Sequence, residues 1–276
     1  MTLLDAGRPG DPVQGALCDL AASARRAGVS IRALVTPAEI GEVRQLMEAI
    51  WGPAVVVPRN VLRGMVLAGA PLLVAERDGL AVGFALGFLG WEGGIHFHSH
   101  QVGVVEAARG SGVGSALKLA QRLACLQHGV SEMRWTFDPL LRPNAAFNLQ
   151  LLGAQVRAFL PDCYGPREDN FNSGERTDRL EVTWDLTRPL ETHDGDDVTG
   201  PFLIDPEPLP HRSPNLPTPG SVIPIPEDYA RLRRADRGRA DAWRTAVGSA
   251  LAEAVDSGLA ITGFSSDGYL IGEQTK

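Results

Sequence analysis

Three histidines alternate along one short stretch, "HFHSHQVGVV", at His96, His98 and His100, and four glycines follow closely, at Gly103, Gly110, Gly112 and Gly114. An imidazole changes charge near neutral pH, so it can act as a general base or as a metal ligand. Strand geometry repeats a side chain on one face every second residue, which places the three rings on one face about 6.6 Å apart. At that spacing one metal takes two of them at most. The cysteines, Cys18, Cys125 and Cys163, form no CxxC pair. No metal site is therefore expected. The alternative for each histidine is packing or hydrogen bonding within a sheet.

The glycines lie in "RGSGVGSALK", between a strand pattern and a helix pattern. A helix that opens on such a loop presents unpaired backbone N–H groups at the positive end of its dipole, and these hold a phosphate. Glycine lets the backbone approach the anion without a side chain between them. The spacing is not GxxxxGK[ST], so it is no P-loop. It is not GxGxxG either, because Ser115 stands at the third glycine position.

The pattern Arg109-x-x-Gly112-x-Gly114, after "VGVV" and before an amphipathic helix, resembles the pyrophosphate loop of the GNAT acyltransferases. More narrowly, "HSHQVGVV", "LKLAQR", "WTFDPLLRPNAAFNLQLLGAQV", "TDRLEVTWDL" and "PEDYARLRRAD" resemble a poorly characterised bacterial branch of that family. The resemblance covers residues 28–188 and extends into the C-terminal segment. It implies an α/β (α+β) GNAT fold with a mixed, mostly antiparallel central sheet flanked by helices, plus a small helix-hairpin extension. It implies that the amides of Arg109, Gly110, Ser111, Gly112, Val113, Gly114 and Ser115 hold the diphosphate of coenzyme A. Backbone groups of Val102, Gly103 and Val104 would pair with the pantetheine arm, one amide stabilising the oxyanion of the reaction. Asn144 and Asn148 would reach the same arm, with an N-cap role as the alternative for Asn144. The acyl donor would be acetyl-CoA or another acyl-CoA, succinyl-CoA included.

For the base, His100 lies nearest the implied thioester position and comes first, with His98 second and Glu106 acting through water third. Family members often place a tyrosine four residues before the glycine that ends the next helix, and here that position is Leu149. Tyr164 is the substitute candidate for the acid that protonates the departing thiolate. Asp138, Asn172 and Arg179 are candidates for the acceptor site, where an arginine (Arg179 or Arg142) would clamp a carboxylate. The implied activity is transfer of an acetyl or succinyl group to the amine of a small molecule, an amino acid among them. The alternatives are a non-catalytic acyl-CoA-binding regulatory module and a nucleotide-binding protein that uses the same loop.

These residues need elements to hold them. "GALCDLAASARRAG" reads as a leading helix, "VSIRALV" as a strand, and "TPAEIGEVRQLMEAIWG" as a helix with Thr36 as N-cap and Glu39 three residues later. "RNVLRGMVLAGA" suggests another helix. "PLLVAER" and "AVGFALGFLGW" form a hairpin about Asp78-Gly79. A strand over 95–105, a helix over 112–128, the strand "EMRWTFD", the short helix "NAAFNLQLLGA" and the strand "DRLEVTWDL" complete the set. The expected organisation is a helical lead (1–27), the acyltransferase domain (28–188), a Pro-rich linker or arm with no regular element (189–225), and a helix-hairpin extension (226–276). In that extension "PEDYARLRRADRGRADAWRTAVGSALAEAVDSG" is one helix or two, and "LAITGF" and "GYLIGE" flank a turn.

With 26 Lys and Arg against 33 Asp and Glu, the net charge of −7 argues against binding nucleic acid by bulk electrostatics. The basic run 229–239 reads as a solvated helix face. No apolar run approaches the roughly 20 residues that cross a bilayer. A soluble cytoplasmic protein is expected, without nucleic-acid or membrane partners, and a homodimer is left open.

Overall fold

The computed structural model describes residues 11–165, 176–190 and 200–274. These form two compact units. The first contains residues 11–135 and 185–189; the second contains residues 136–165, 176–184 and those from 190 onward.

In the first unit, helix α1 (Pro12–Ala27) starts on Asp11, whose carboxylate caps the Val13 amide, and stops at Gly28 in the left-handed region. Strand β1 (Ser30–Ala33) leads to helix α2 (Pro37–Trp51), which opens on a complete capping box between Thr36 and Glu39. Helix α3 (Arg59–Leu67) precedes β2 (Leu73–Arg77) and β3 (Leu80–Gly90). Their turn at Asp78-Gly79 has positive φ at both residues, 53° and 76°, as a two-residue hairpin of the right twist demands. Strand β4 (His96–Val104), helix α4 (Val113–Gln127) and β5 (Glu132–Phe137) follow.

Strands β1 to β4 are neighbours in chain order and all antiparallel, and β4 pairs with β5 in parallel. Period-two alternation divides the core. Val74, Phe84 and Leu86 face α2 and α3, against Ile40, Val43, Met47, Ile50 and Leu62. Leu73, Ala75 and Ala85 face the opposite way, against Val113, Leu117 and Ala120 of α4. Each side chain taken fully from water there contributes about 1.5–3 kcal/mol.

In the second unit, a short helix α5 (Arg142–Ala145) runs into a π-helical turn over Ala146–Leu151. Strand β6 (Gln155–Leu160), which the sequence reading did not single out, pairs antiparallel with β7 (Arg179–Asp185). The expected irregular stretch after Pro189 carries three two-residue strands: β8 (Ile204–Asp205), β9 (His211–Arg212) and β10 (Val222–Ile223). Two helices follow, α6 (Tyr229–Ala235) and α7 (Arg237–Asp256), because Asp236 leaves the helical region and caps the second with its side chain. The hairpin β11 (Leu259–Phe264) and β12 (Tyr269–Glu273) gains β10 as a third strand, in the order β10-β12-β11.

A buried ion cluster sits in this unit. Asp138 accepts two hydrogen bonds from Arg244, at 2.7 and 2.8 Å, and lies 3.8 Å from Arg179. Burial alone would raise the Asp138 pKa, but the charge and hydrogen bonds of Arg244, with Arg179 behind them, hold it below the usual carboxylate value.

Candidate functional site

The loop between β4 and α4 leaves the start of a helix without a side-chain cap. Glu106–Ala108 makes one 3-10 turn. Gly110 and Gly112 then take φ values of +73° and +86°, where a side chain would be strained. Gly112 is the N-cap of α4 and no side chain caps that end. The first-turn amides, on Val113, Gly114 and Ser115, have no carbonyl one turn earlier to bond. The loop is braced from beneath. Ser111 Oγ donates to the Ala108 carbonyl at 2.7 Å, and Arg77 donates to Ser111 Oγ at 3.0 Å and to the Ala27 carbonyl at 2.7 Å. Arg109 is exposed and its Nε lies 3.4 Å from the Val104 carbonyl.

Beside this loop, β4 has an open edge. Among the described residues its pairing with β5 covers Phe97 against Met133 and His98 against Arg134. Past those residues Val102, Gly103 and Val104 remain bonded to β3 on their other side. Gly103 also has a packing role: a Cβ there would lie 2.8 Å from the Phe84 ring and 2.9 Å from Trp51. The loop and this edge therefore fit a group with a diphosphate at one end and an amide-bearing arm along the strand.

The histidines are not evenly disposed. The β3–β4 register slips between Leu86–Gln101 and Gly87–Ser99, so His100 is an extra, bulged residue and strict alternation fails there. His96 is buried, its Nδ1 3.1 Å from the Gly94 carbonyl. His98 is half-buried and His100 exposed. Their ring centroids are 6.1 Å apart, and the Phe88 ring lies 5.2 and 5.6 Å from them. Among the described residues no three His, Cys, Asp or Glu side chains come together as a metal site. Glu106 is exposed in its 3-10 turn.

Residues 51–150 match the family described as "Acetyltransferase (GNAT) family". This stretch is a GNAT domain. No curated protein matches the chain. Among solved structures, the ribosomal-protein-alanine N-acetyltransferase of Brucella melitensis is similar at 24% identity and a TM-score of 0.46, covering 56% of this chain and 99% of its own. The ribosomal-protein-S18-alanine N-acetyltransferase of Escherichia coli is similar at 13% identity and 0.47, covering 62% and 99%. The yncA structure of Salmonella typhimurium, solved with acetyl-CoA, is similar at 19% identity and 0.45, covering 62% and 99%.

The remaining candidates of the GNAT reading lie in the second unit. Asn144 is exposed on α5, where Leu141 rather than Asn144 occupies the N-cap position. Asn148 is buried in the π-helical turn. Leu149 is buried at 6% exposure. Tyr164 is 41% exposed, its OH 2.9 Å from Thr136 Oγ1, with the Arg179 guanidinium 5.5 Å from its ring. Asp138 and Arg179 belong to the ion cluster with Arg244. Arg142 donates to the Ser266 and Ile225 carbonyls. Asn172 lies outside the described residues.

The sequence reading passed over two further groups in the GNAT domain. Gln101, next to His100, buries its Oε1 without a hydrogen-bond partner. On α4, Lys118, Gln121 and Arg122 are buried at 3%, 0% and 1% exposure. A helical wheel puts Lys118 and Gln121 three residues apart, beside the apolar stripe, so the signal existed; long polar side chains there read as snorkelling.

Proposed function

We propose that the chain is a CoA-dependent N-acyltransferase that moves an acetyl or succinyl group from acyl-CoA to the amine of a small molecule, an amino acid being the first candidate. One observation carries this reading within the GNAT match: an uncapped helix start with two left-handed glycines stands beside a strand edge that is open past His98. Acyl-CoA, when bound, supplies an activated thioester. The amides of residues 110–115 bind its diphosphate, the Arg109 amide expected among them being taken instead by the Glu106 carbonyl at 3.1 Å, and the backbone of Val102–Val104 orients its arm. His100, exposed at the bulge, accepts the proton of the attacking amine, with His98 as the second candidate. The unpartnered Gln101 Oε1 is an acceptor suited to an amine N–H. Tyr164 is the candidate donor to the leaving thiolate, and Asp138, Asn172 and Arg179 are candidates for the acceptor site.

A thermal-shift panel of CoA, acetyl-CoA and succinyl-CoA tests the binding, since a ligand of the folded state raises the melting temperature. ATP or NAD stabilising the chain where CoA does not would point to the nucleotide-binding reading. His100→Ala is expected to lower turnover by roughly 10²–10⁴-fold with CoA affinity unchanged. The second reading, a non-catalytic acyl-CoA-binding module, rests on buried Leu149 at the position of the family's tyrosine. CoA binding without turnover of any amine would favour it.

A further inference from the structure

Helix α1 lies outside the segment that matches the GNAT family, residues 51–150, yet it is fastened along α4. Midway along it, Asp19 accepts a hydrogen bond from Arg122 at 2.7 Å. At its end Ala27 packs with Val113 and Leu117, and a Cβ on Gly112 would lie 3.6 Å from that of Ala27. As α1 advances from 19 to 27, α4 recedes from 122 to 112. The two helices therefore run antiparallel, and the last turn of α1 stands beside the uncapped start of α4. Arg77 of β2 ties the two ends together through the Ala27 carbonyl and Ser111 Oγ.

That last turn carries Arg25 and Arg26. Both are exposed, and among the described residues neither guanidinium makes a hydrogen bond or an ion pair. Arg77 bonds two neutral oxygens, a carbonyl and a hydroxyl. Asp78 and Glu106, the carboxylates nearest in the chain to Arg77 and to the glycine loop, pair with none of the three among the described residues. Basic residues at a helix C-terminus ordinarily answer the negative end of its dipole. Here the positive start of α4 stands beside that end and offsets it, so the two charges of Arg25 and Arg26 are surplus. Cations gathered at one helix start repel one another until an anion arrives. The chain as a whole carries a net charge of −7, so this cationic spot is set against the character of the rest of the molecule.

We infer that Arg25 and Arg26 bind the 3′-phosphate of coenzyme A, the second anionic group of the cofactor, while the loop amides take its diphosphate. The inference rests on the acyl-CoA reading above. A phosphate monoester carries about −1.5 to −2 charge at pH 7 and three strong acceptor oxygens. A guanidinium matches such a group with two parallel N–H···O bonds, which a point charge does not. The leading helix thereby becomes part of the cofactor site. It recognises the nucleotide end of the donor and makes no demand on the acyl chain.

Calorimetric titration of the full chain with CoA and with 3′-dephospho-CoA tests this. CoA should bind roughly 10- to 100-fold more tightly, the span of a charge-assisted hydrogen bond. Arg25→Gln/Arg26→Gln should erase that difference by weakening CoA alone, with the affinity for dephospho-CoA as it was. Arg231→Gln/Arg234→Gln removes two exposed arginines from α6 of the second unit and should leave the difference intact. Equal binding of the two ligands by the wild-type chain overturns the inference while leaving the acyl-CoA reading standing. A preference that survives in the Arg25→Gln/Arg26→Gln variant overturns it too, as does one that the α6 variant abolishes equally, since net charge then explains it. Failure of both ligands to bind overturns the acyl-CoA reading and the inference with it.

Discussion

Burial of Lys118 lowers the pKa of its amine from 10.5 in the folded chain. The unfolded chain therefore holds more protons between the folded value and 10.5, and stability rises with pH across that window. It is fully present above about 10.5 and is lost as pH falls toward the folded value. Lys118→Met, which removes the group, should raise the melting temperature at pH 7, and the gain should shrink as the pH approaches 10.5. Melting curves of the two proteins from pH 7 to pH 10.5 measure this. The candidate residues were only partly legible. His98 and His100 could be picked out as candidates, because histidine is rare and alternation is visible. Lys118 and Gln121 were not, because a long polar side chain next to an apolar stripe ordinarily reaches water, and it is tertiary packing against Ser99 of β4 and Trp135 of β5 that closes that route.

Elements depend on caps that the sequence states openly. In α2, Thr36 and Glu39 bond to each other's backbone amides, and hydrogen bonds from Thr36 and Val35, with Arg32 behind them, draw the Glu39 carboxyl down to about 2. Its contribution is present above about pH 4.5 and is lost as pH falls toward 2. Thr36→Ala should cost about 1 kcal/mol, read as a lower urea midpoint at unchanged slope. At the start of α4 the constraint is conformational. With φ at +86°, Gly112→Val should cost about 1–3 kcal/mol, and the thermal shift given by CoA should disappear as the loop closes over its amides. Pattern reading found most elements of the first unit, since caps, an Asp-Gly turn and period-two alternation are all local. It overlooked β6, whose "QVRAFL" leaves no residue buried, and it could not foresee the bulge at His100, which is a property of two strands in register.

At the scale of the whole molecule, the chain divides into two compact units. No helix among the described residues is long and apolar enough to cross a membrane. The second unit is tied by long-range bonds around Asp138: Arg244 arrives from α7, and Tyr269 of β12 donates to the neighbouring Pro139 carbonyl at 2.7 Å. Arg244→Leu strands the buried carboxylate and should cost about 3–5 kcal/mol, measured by urea denaturation; adding Asp138→Leu should recover part of the loss. The sequence marks Asp138 only as an acceptor-site candidate and does not mark Arg244, because the pairing spans 106 positions. The sequence alone determined the glycine loop, the helix that follows it, the histidine strand and the terminal hairpin, since each is written in residues a few positions apart. Tertiary structure alone decided which polar side chains lose water and which keep it. Burial is a property of what packs above a residue, and no local pattern contains it.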